Sequence, residues 1–262
     1  MNEVPVALVT GGSRGIGRGI ALRLAKDGLT VVINSRTADP ADRQKGAYEV
    51  QRTIEAAGGR AVVFPADISS PAERNSLCAF MEKEFPRLDL LVNNAGIEPE
   101  PLDILDCPEE RLDRVLAVNL KGPFFISQHM ARWMVRLRAQ GAVPTPRIVF
   151  ITSVQAYMAN PFGTEYCLSK AALHMTMKAF AVRLGASGIP VFEISPGIIE
   201  SDMSLVHKDA IDRMIAAGRV PTARWGKPAD VAALVAAIAR GDLDYSTGST
   251  IEVGGGLGLR RL

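Results

Sequence analysis

Seven short runs rich in Val, Ile and Leu recur along the chain: VPVALVT, LTVVINS, RAVVFPA, LDLLVNNA, PRIVFITS, IPVFEIS and STIEVGG. Apolar runs of this kind, without polar alternation, suit strands buried on both faces, and such strands are parallel and joined by crossover elements. The segment between the first two runs has the crossover pattern. In GIGRGIALRLAKDG, Ile16, Ile20, Leu22 and Leu24 follow helical spacing and Gly28 suits a C-cap. Repeated along the chain, this order specifies an α/β protein: a doubly wound parallel sheet of about seven strands with helices on both faces. With 47% hydrophobic residues, the 262-residue chain has enough apolar side chain for that double burial. The stretch RAQGAVPTPR, residues 138–147, reads as a surface loop and not a linker, so residues 1–262 are expected to form a single domain.

Composition excludes several function classes. Thirty basic residues are interspersed with twenty-eight acidic ones, and a net charge of +2 offers no field of one sign for nucleic acid or an anionic membrane. Cys78, Cys107 and Cys167 are odd in number, far apart and without CxxC spacing, so neither a disulfide framework nor a zinc site is expected. MNEVPVALVTGG runs directly into an apolar strand with no basic leader, and no apolar run reaches membrane-spanning length; a cytoplasmic location is the expectation.

The stretch TGGSRGIG follows the first run and opens the first helix. There Gly11, Gly15 and Gly17 stand where a tight turn, close approach to a pyrophosphate and close helix packing leave no room for a side chain. Backbone amides at that helix end face an anion. Farther along, EYCLSK places Tyr166 one helical turn before Lys170, with Cβ atoms about 6 Å apart. A cation held there favours phenolate, so the tyrosine pKa is expected to fall toward about 7, where it both gives and takes a proton. Ser153 closes the fifth run, at the carboxyl end of a strand, where ligands gather in open parallel sheets.

The order of these motifs resembles the short-chain dehydrogenase/reductase family, a single-domain Rossmann fold, along essentially the whole chain. Thr10 to Gly17, in G-x-x-x-G-x-G spacing, is similar to the family's cofactor loop; Asp67-Ile68 to its adenine contact; NNAG, Asn93 to Gly96, to its fourth-strand motif. Asn119 in VNLKG, Ser153, Tyr166, Lys170 and SPG, Ser195 to Gly197, complete the series. Within the family, GGSRGIGRGIA, NNAGI and VNLKGPFF are most similar to the 3-oxoacyl-(acyl-carrier-protein) reductases.

The resemblance implies hydride transfer between a nicotinamide cofactor and a carbonyl carbon. Tyr166 would protonate the developing alkoxide, Ser153 would hydrogen-bond it, Lys170 would hold the nicotinamide ribose, and Asn119 would hold a relay water. It further implies cofactor contacts from Gly11, Ser13, Arg14, Gly15, Ile16, Gly17, Asp67, Ile68, Asn93, Ala95, Gly96, Tyr166, Lys170, Pro196, Gly197, Ile199 and Ser201. The second run ends in Ser35 and Arg36, where an NAD site would normally present an acid. Arg36, with Arg14, suits a 2'-phosphate, so NADP(H) is preferred over NAD(H). The alternative is that Asp39 or Asp42 curls back to the ribose.

The segment of about residues 198–226 has weaker periodicity and, by the resemblance, forms a mobile lid over the substrate. Glu98, Gln155, Tyr157, Met158, Phe162 and Met203 are the candidate pocket residues, suited to a medium-sized carbonyl compound. A 3-oxoacyl chain on acyl carrier protein is one expected substrate, with Arg132, Arg136 and Arg138 reading equally as the basic face for such a carrier or as a solvated face; sugars, polyols or other small ketones are the alternative. Gly254 stands where the family's VDGG ending has Asp. The Tyr166 helix continues through Leu173, Met177, Phe180 and Leu184, yet Ala171, Ala172, Ala179 and Ala181 keep its other face small and apolar. A homodimer or homotetramer is therefore expected.

Overall fold

The structure, a computed structural model, describes residues 4–42 and 44–260. Each of the seven apolar runs forms a strand: β1 Val6–Thr10, β2 Thr30–Ser35, β3 Arg60–Pro65, β4 Leu90–Asn93, β5 Arg147–Ile151, β6 Val191–Pro196 and β7 Thr250–Val253. They make one sheet in the order β3-β2-β1-β4-β5-β6-β7, with every pair parallel. The helices are α1 Gly15–Lys26, α2 Ala47–Ala56, α3 Pro71–Glu84, α4 Glu109–Leu116, α5 Gly122–Ala139, α6 Thr164–Gly185, α7 Asp202–Leu205, α8 Lys208–Ala216 and α9 Pro228–Arg240.

Alternate residues of the central strands feed two separate cores. Leu8, Val32, Leu91 and Phe150 pack with side chains of α3, α5 and α6, such as Met81, Met130 and Met177. Ala7, Val9, Val31, Ile33 and Val92 pack on the other face with Ile20, Leu24, Val50 and Val235 of α1, α2 and α9. Strands with no solvent face explain why the runs show no polar alternation.

The chain winds outward from β1 through β2 to β3, then returns to place β4 on the other side of β1. Loops leaving the carboxyl ends of β1 and β4 therefore diverge, and the crevice between them is where an open parallel sheet accepts a ligand. One irregularity lies beside it: α4 runs into α5 through a π-helical turn, Ala117–Lys121, which contains the fully buried Asn119. Such insertions into a helix concentrate at functional sites. At the far side, residues 198–226 leave and rejoin the sheet through a parallel bridge between Ile199 and Gly226, with α7 and α8 in between.

Candidate active site

The loop after β1 is held in shape by two neighbours on β4's exit. Thr10 Oγ1 accepts from the amides of Asn94 at 3.0 Å and Ala95 at 3.1 Å. Asn94 Nδ2 donates back to the carbonyls of Thr10 at 3.0 Å and Gly11 at 3.1 Å. The glycines are required by this packing: a Cβ on Gly17 would stand 2.2 Å from the Gly11 carbonyl oxygen, and one on Gly11 would stand 2.8 Å from Ala95 Cα. At Gly15 a Cβ would narrow the approach to Ser201 Cβ to 3.2 Å. The missing side chains thus keep open a strip between the loop, with Ser13 and Ile16, and Ser201, the N-cap of α7. That strip, at the N-terminus of α1, fits the phosphates of a dinucleotide.

The Asn93 side chain turns into the core and donates to Ser127 Oγ at 2.8 Å, which leaves only its main chain for the expected cofactor contact, while Asn94 grips the loop. Ile68 is buried, its side chain against Gly122 and its carbonyl accepting from Arg74 Nη1 at 2.6 Å, while Asp67 stays half-buried. Burial raises the Asp67 carboxyl, but the Ser69 hydroxyl and amide together with the charges of Arg36 and Arg114 hold it below its ordinary value.

At the end of β2, Ser35 Oγ bonds Ser13 Oγ at 3.1 Å and Arg36 is exposed. Asp39 and Asp42 accept from the amides of Ala41, Gln44 and Lys45 within their own turns. Arg14 lies on the lid side of the glycine loop, its guanidinium 3.6 Å from Asp202 of α7. Both Arg14 and Arg36 are exposed, and the contact of Arg14 with Asp202 is at the surface.

Ser153, Tyr166 and Lys170 converge from β5 and α6. Ser153, two residues past the strand, caps a short turn, accepting from the Gln155 amide at 3.2 Å, and hydrogen-bonds the Tyr166 hydroxyl. Lys170 lies one turn on from Tyr166, its Nζ 5.4 Å from the Tyr166 ring centre and donating to the Ile151 carbonyl at 3.1 Å. All three are buried. Burial therefore dominates both titrations. It pushes the Tyr166 hydroxyl well above its ordinary value, with the charge of Glu98 adding to the effect and the Ser153 hydrogen bond opposing it. It lowers the Lys170 ammonium to about 8, against the charges of Glu98 and Glu193. Desolvation disfavours the phenolate, so the fall expected from the lysine charge does not appear among the protein's own residues.

Asn119 fastens the π-turn to the β4 loop. Its Oδ1 accepts from the Ile97 amide at 2.8 Å, and its Nδ2 donates to the Ile97 carbonyl at 2.9 Å and Ser169 Oγ at 3.0 Å. Gly96 lies between Asn119 and Lys170: a Cβ there would be 3.4 Å from Asn119 Oδ1 and 3.5 Å from Lys170 Nζ. On β6, Pro196 and Gly197 end the strand, and Gly197 lies against Gly254, where a Cβ would meet Gly254 Cα at 2.7 Å. The departure at Gly254 has a local reason. A Cβ there would stand 2.5 Å from Glu252 Oε1, and Glu252 instead ties the C-terminal segment through the Gly258 amide.

A cavity of about 200 Å³ lies between the β4 loop and the lid, lined by Gly96, Ile97, Glu98 and Glu100 on one side and by Arg14, Met203, Val206 and His207 on the other; Ser153, Tyr166 and Lys170 do not line it, and Gly96 is its link to Lys170. Gln155 backs it, donating to Glu98 Oε1 at 3.2 Å and accepting from Cys167 Sγ at 3.3 Å. Tyr157 and Phe162 do not line it. The Tyr157 hydroxyl donates to Glu252 Oε2 at 3.0 Å and contacts Ser195 Oγ at 3.3 Å, while the Pro161 and Phe162 carbonyls accept from the amides of Ile104 and Leu102 and form the rim. Sequence reasoning missed Asn94, although it sits inside NNAG, and missed the buried Glu193. The Glu193 carboxylate accepts from Thr152, Thr250 and His174 beneath Lys170.

The parallel sheet, its crevice and the glycine loop define a dinucleotide-binding fold, and Ser153, Tyr166 and Lys170 are buried together on it. A family model described as enoyl-(acyl carrier protein) reductase matches residues 11–258. The 3-oxoacyl-(acyl-carrier-protein) reductase of Staphylococcus epidermidis is 36% identical over 252 residues, 96% of this chain and 98% of that protein. A hydroxynaphthalene reductase-like protein of Metarhizium robertsii is 37% identical over 268 residues, 96% and 94% of the two chains. A crystal structure of 3-oxoacyl-(acyl-carrier protein) reductase from Brucella melitensis in complex with NAD superposes with a TM-score of 0.92 at 38% identity, covering all of both chains. The chain belongs to the short-chain dehydrogenase/reductase family of oxidoreductases, which use a nicotinamide cofactor.

Proposed function

We propose that the protein reduces a ketone to a secondary alcohol with NADP(H) as its preferred hydride carrier. The observation that carries this reading is the joint burial of Ser153, Tyr166 and Lys170, with Gly96 linking Lys170 to a cavity that Arg14 of the glycine loop also lines. When bound, the cofactor supplies the hydride that goes to the carbonyl carbon. Tyr166, held protonated by burial, gives its proton to the carbonyl oxygen as charge develops there, and Ser153 donates a hydrogen bond to the same oxygen. The Lys170 ammonium favours the phenolate left behind and faces the strip where the ribose would lie. Asn119 holds the Ile97 and Gly96 backbone against Lys170. Ala95, Ile199 and Ser201 would add contacts to the cofactor from the β4 and lid sides. The absence of a carboxylate from the end of β2, with Arg36 exposed there, supports NADP(H) over NAD(H).

The 3-oxoacyl thioester named for the relatives is the first substrate to test. A carrier protein docked on Arg132, Arg136 and Arg138 would stand at the wrong end of the sheet. Arg136 lies about 25 Å along the helix axis from Asn119 at helical rise. Arg136 is also occupied by Glu82 at 2.7 Å. A carrier would instead have to approach the cavity mouth beside α7. The test is NADPH oxidation across a panel of acetoacetyl thioesters, sugars and simple diketones, with Tyr166→Phe as control. Turnover lost in the control supports the reading; NADPH binding without turnover on any of them would make the protein a silent cofactor binder.

A further inference from the structure

The carboxylate of Glu98 stands inside the candidate site where the proposed chemistry has no use for a negative charge. It lies two residues past Gly96, whose backbone touches the space around Lys170, and it lines the cavity directly. Its charge acts on Tyr166 and Lys170, and burial raises the Glu98 carboxyl above its ordinary value against the Gln155 hydrogen bond and the neighbouring Lys170. Gln155 holds Oε1 at 3.2 Å and thereby sets the orientation of the carboxylate. Among the described residues none donates to Oε2, and this oxygen is not among the buried unpaired atoms but open to the cavity. A ligand that fills the cavity and covers Oε2 therefore has to bring a donor in place of solvent.

We propose that Glu98 is a specificity-determining residue that selects carbonyl substrates bearing a hydroxyl on the carbon next to the one reduced. The inference rests on the ketone reductase reading above and deepens it to a substrate class, the hydroxyketones and the polyols they yield. The overall step balances as before: hydride goes to the carbonyl carbon, the Tyr166 proton goes to its oxygen, the carrier leaves oxidised, and a vicinal diol forms. The neighbouring hydroxyl keeps its proton and donates it as a hydrogen bond to Glu98 Oε2. A plain ketone or a 3-oxoacyl chain brings an apolar methylene to the same place and covers Oε2 without giving it a donor, while Gln155 still holds Oε1.

The test compares kcat/KM for 1-hydroxy-2-ketones with that for chain-matched plain 2-ketones, in the wild-type enzyme and in the Glu98→Gln and Glu98→Leu variants. In the wild type the hydroxyketone is expected to be favoured by about tenfold or more, as a hydrogen bond to a charged group provides. In Glu98→Leu the hydroxyketone should fall by about ten- to a hundredfold while the plain ketone rises, so the preference inverts. Glu98→Gln, which keeps the shape and an acceptor oxygen, should show the same trend in smaller degree and serves if the leucine variant does not fold. A wild-type ratio near one, equal losses on both substrates in the variants, or faster turnover of an acetoacetyl thioester than of any hydroxyketone would overturn the proposal while leaving the reductase reading intact. Failure of the wild type on every ketone would instead remove that reading and the proposal with it.

Discussion

At the residue scale, the site works by desolvation. Tyr166 and Lys170 are both buried, and burial drives the phenol up and the ammonium down, so each is pushed toward its neutral form. Two outcomes follow with opposite signs. Reduction needs the tyrosine proton and the lysine charge; the ammonium is present below about 8 and lost above it, so the pH profile of kcat/KM for ketone reduction should bend downward above pH about 8. Alcohol oxidation needs the phenolate, whose raised pKa makes it scarce at neutral pH, so that rate should climb with alkalinity over the same range. Tyr166→Phe removes the proton donor and should lower kcat by about 10²- to 10⁴-fold, with NADPH affinity measured by fluorescence titration little changed. Near-normal reduction in that variant would take Tyr166 out of the mechanism. Arg36→Asp should shift preference from NADPH toward NADH by about tenfold or more, because a charge-assisted bond to the 2'-phosphate is replaced by repulsion. An unchanged cofactor ratio would put the 2'-phosphate elsewhere.

At the scale of the element, the glycine loop shows how a motif becomes a rigid part. A methyl group on Gly17 would stand 2.2 Å from the carbonyl oxygen of Gly11, which Asn94 already holds by its amide. Neither backbone can retreat without breaking the β1 to β4 clasp. Gly17→Ala should therefore lower stability by about 1–3 kcal/mol and reduce NADPH binding, both visible in thermal melts with and without cofactor. A variant with unchanged melting and binding would show that the loop yields. The glycine spacing was legible in the sequence because it follows from local backbone needs. The clasp was less so: NNAG identified the neighbourhood, but which asparagine faces the loop and which the core depends on the side of β4 that each side chain takes.

At the scale of the whole molecule, α6 has two faces with different fates. Leu173, Met177 and Leu184 are buried in the core under the sheet, as their spacing requires. Leu168, Met175 and Val182, each two turns from the next, remain exposed, Val182 at 86%, with the exposed Phe125 on neighbouring α5. An apolar stripe left to water along a helix of this length is expected to be covered by a second copy of the chain. Light scattering should give the mass of a dimer or tetramer, and Val182→Glu should lower it toward the monomer; a monomeric wild type would assign the stripe another role.

The sequence by itself determined the alternation of strands and crossovers, the glycine loop, and the chemistry-bearing residues Ser153, Tyr166 and Lys170, because each of these rests on short-range periodicity or on spacing within one element. The tertiary structure alone decided what those residues feel. Tyr157 was read as a substrate contact, and its hydroxyl is instead bound by Glu252 from the last strand. Tyr166 was expected to acidify, and Glu98 from the β4 loop, together with burial, drives it the other way. Contacts such as these join residues dozens of positions apart through the parallel register of the sheet. The electrostatic free energy of a buried group is set by those distant neighbours and by the exclusion of water, which no local pattern encodes.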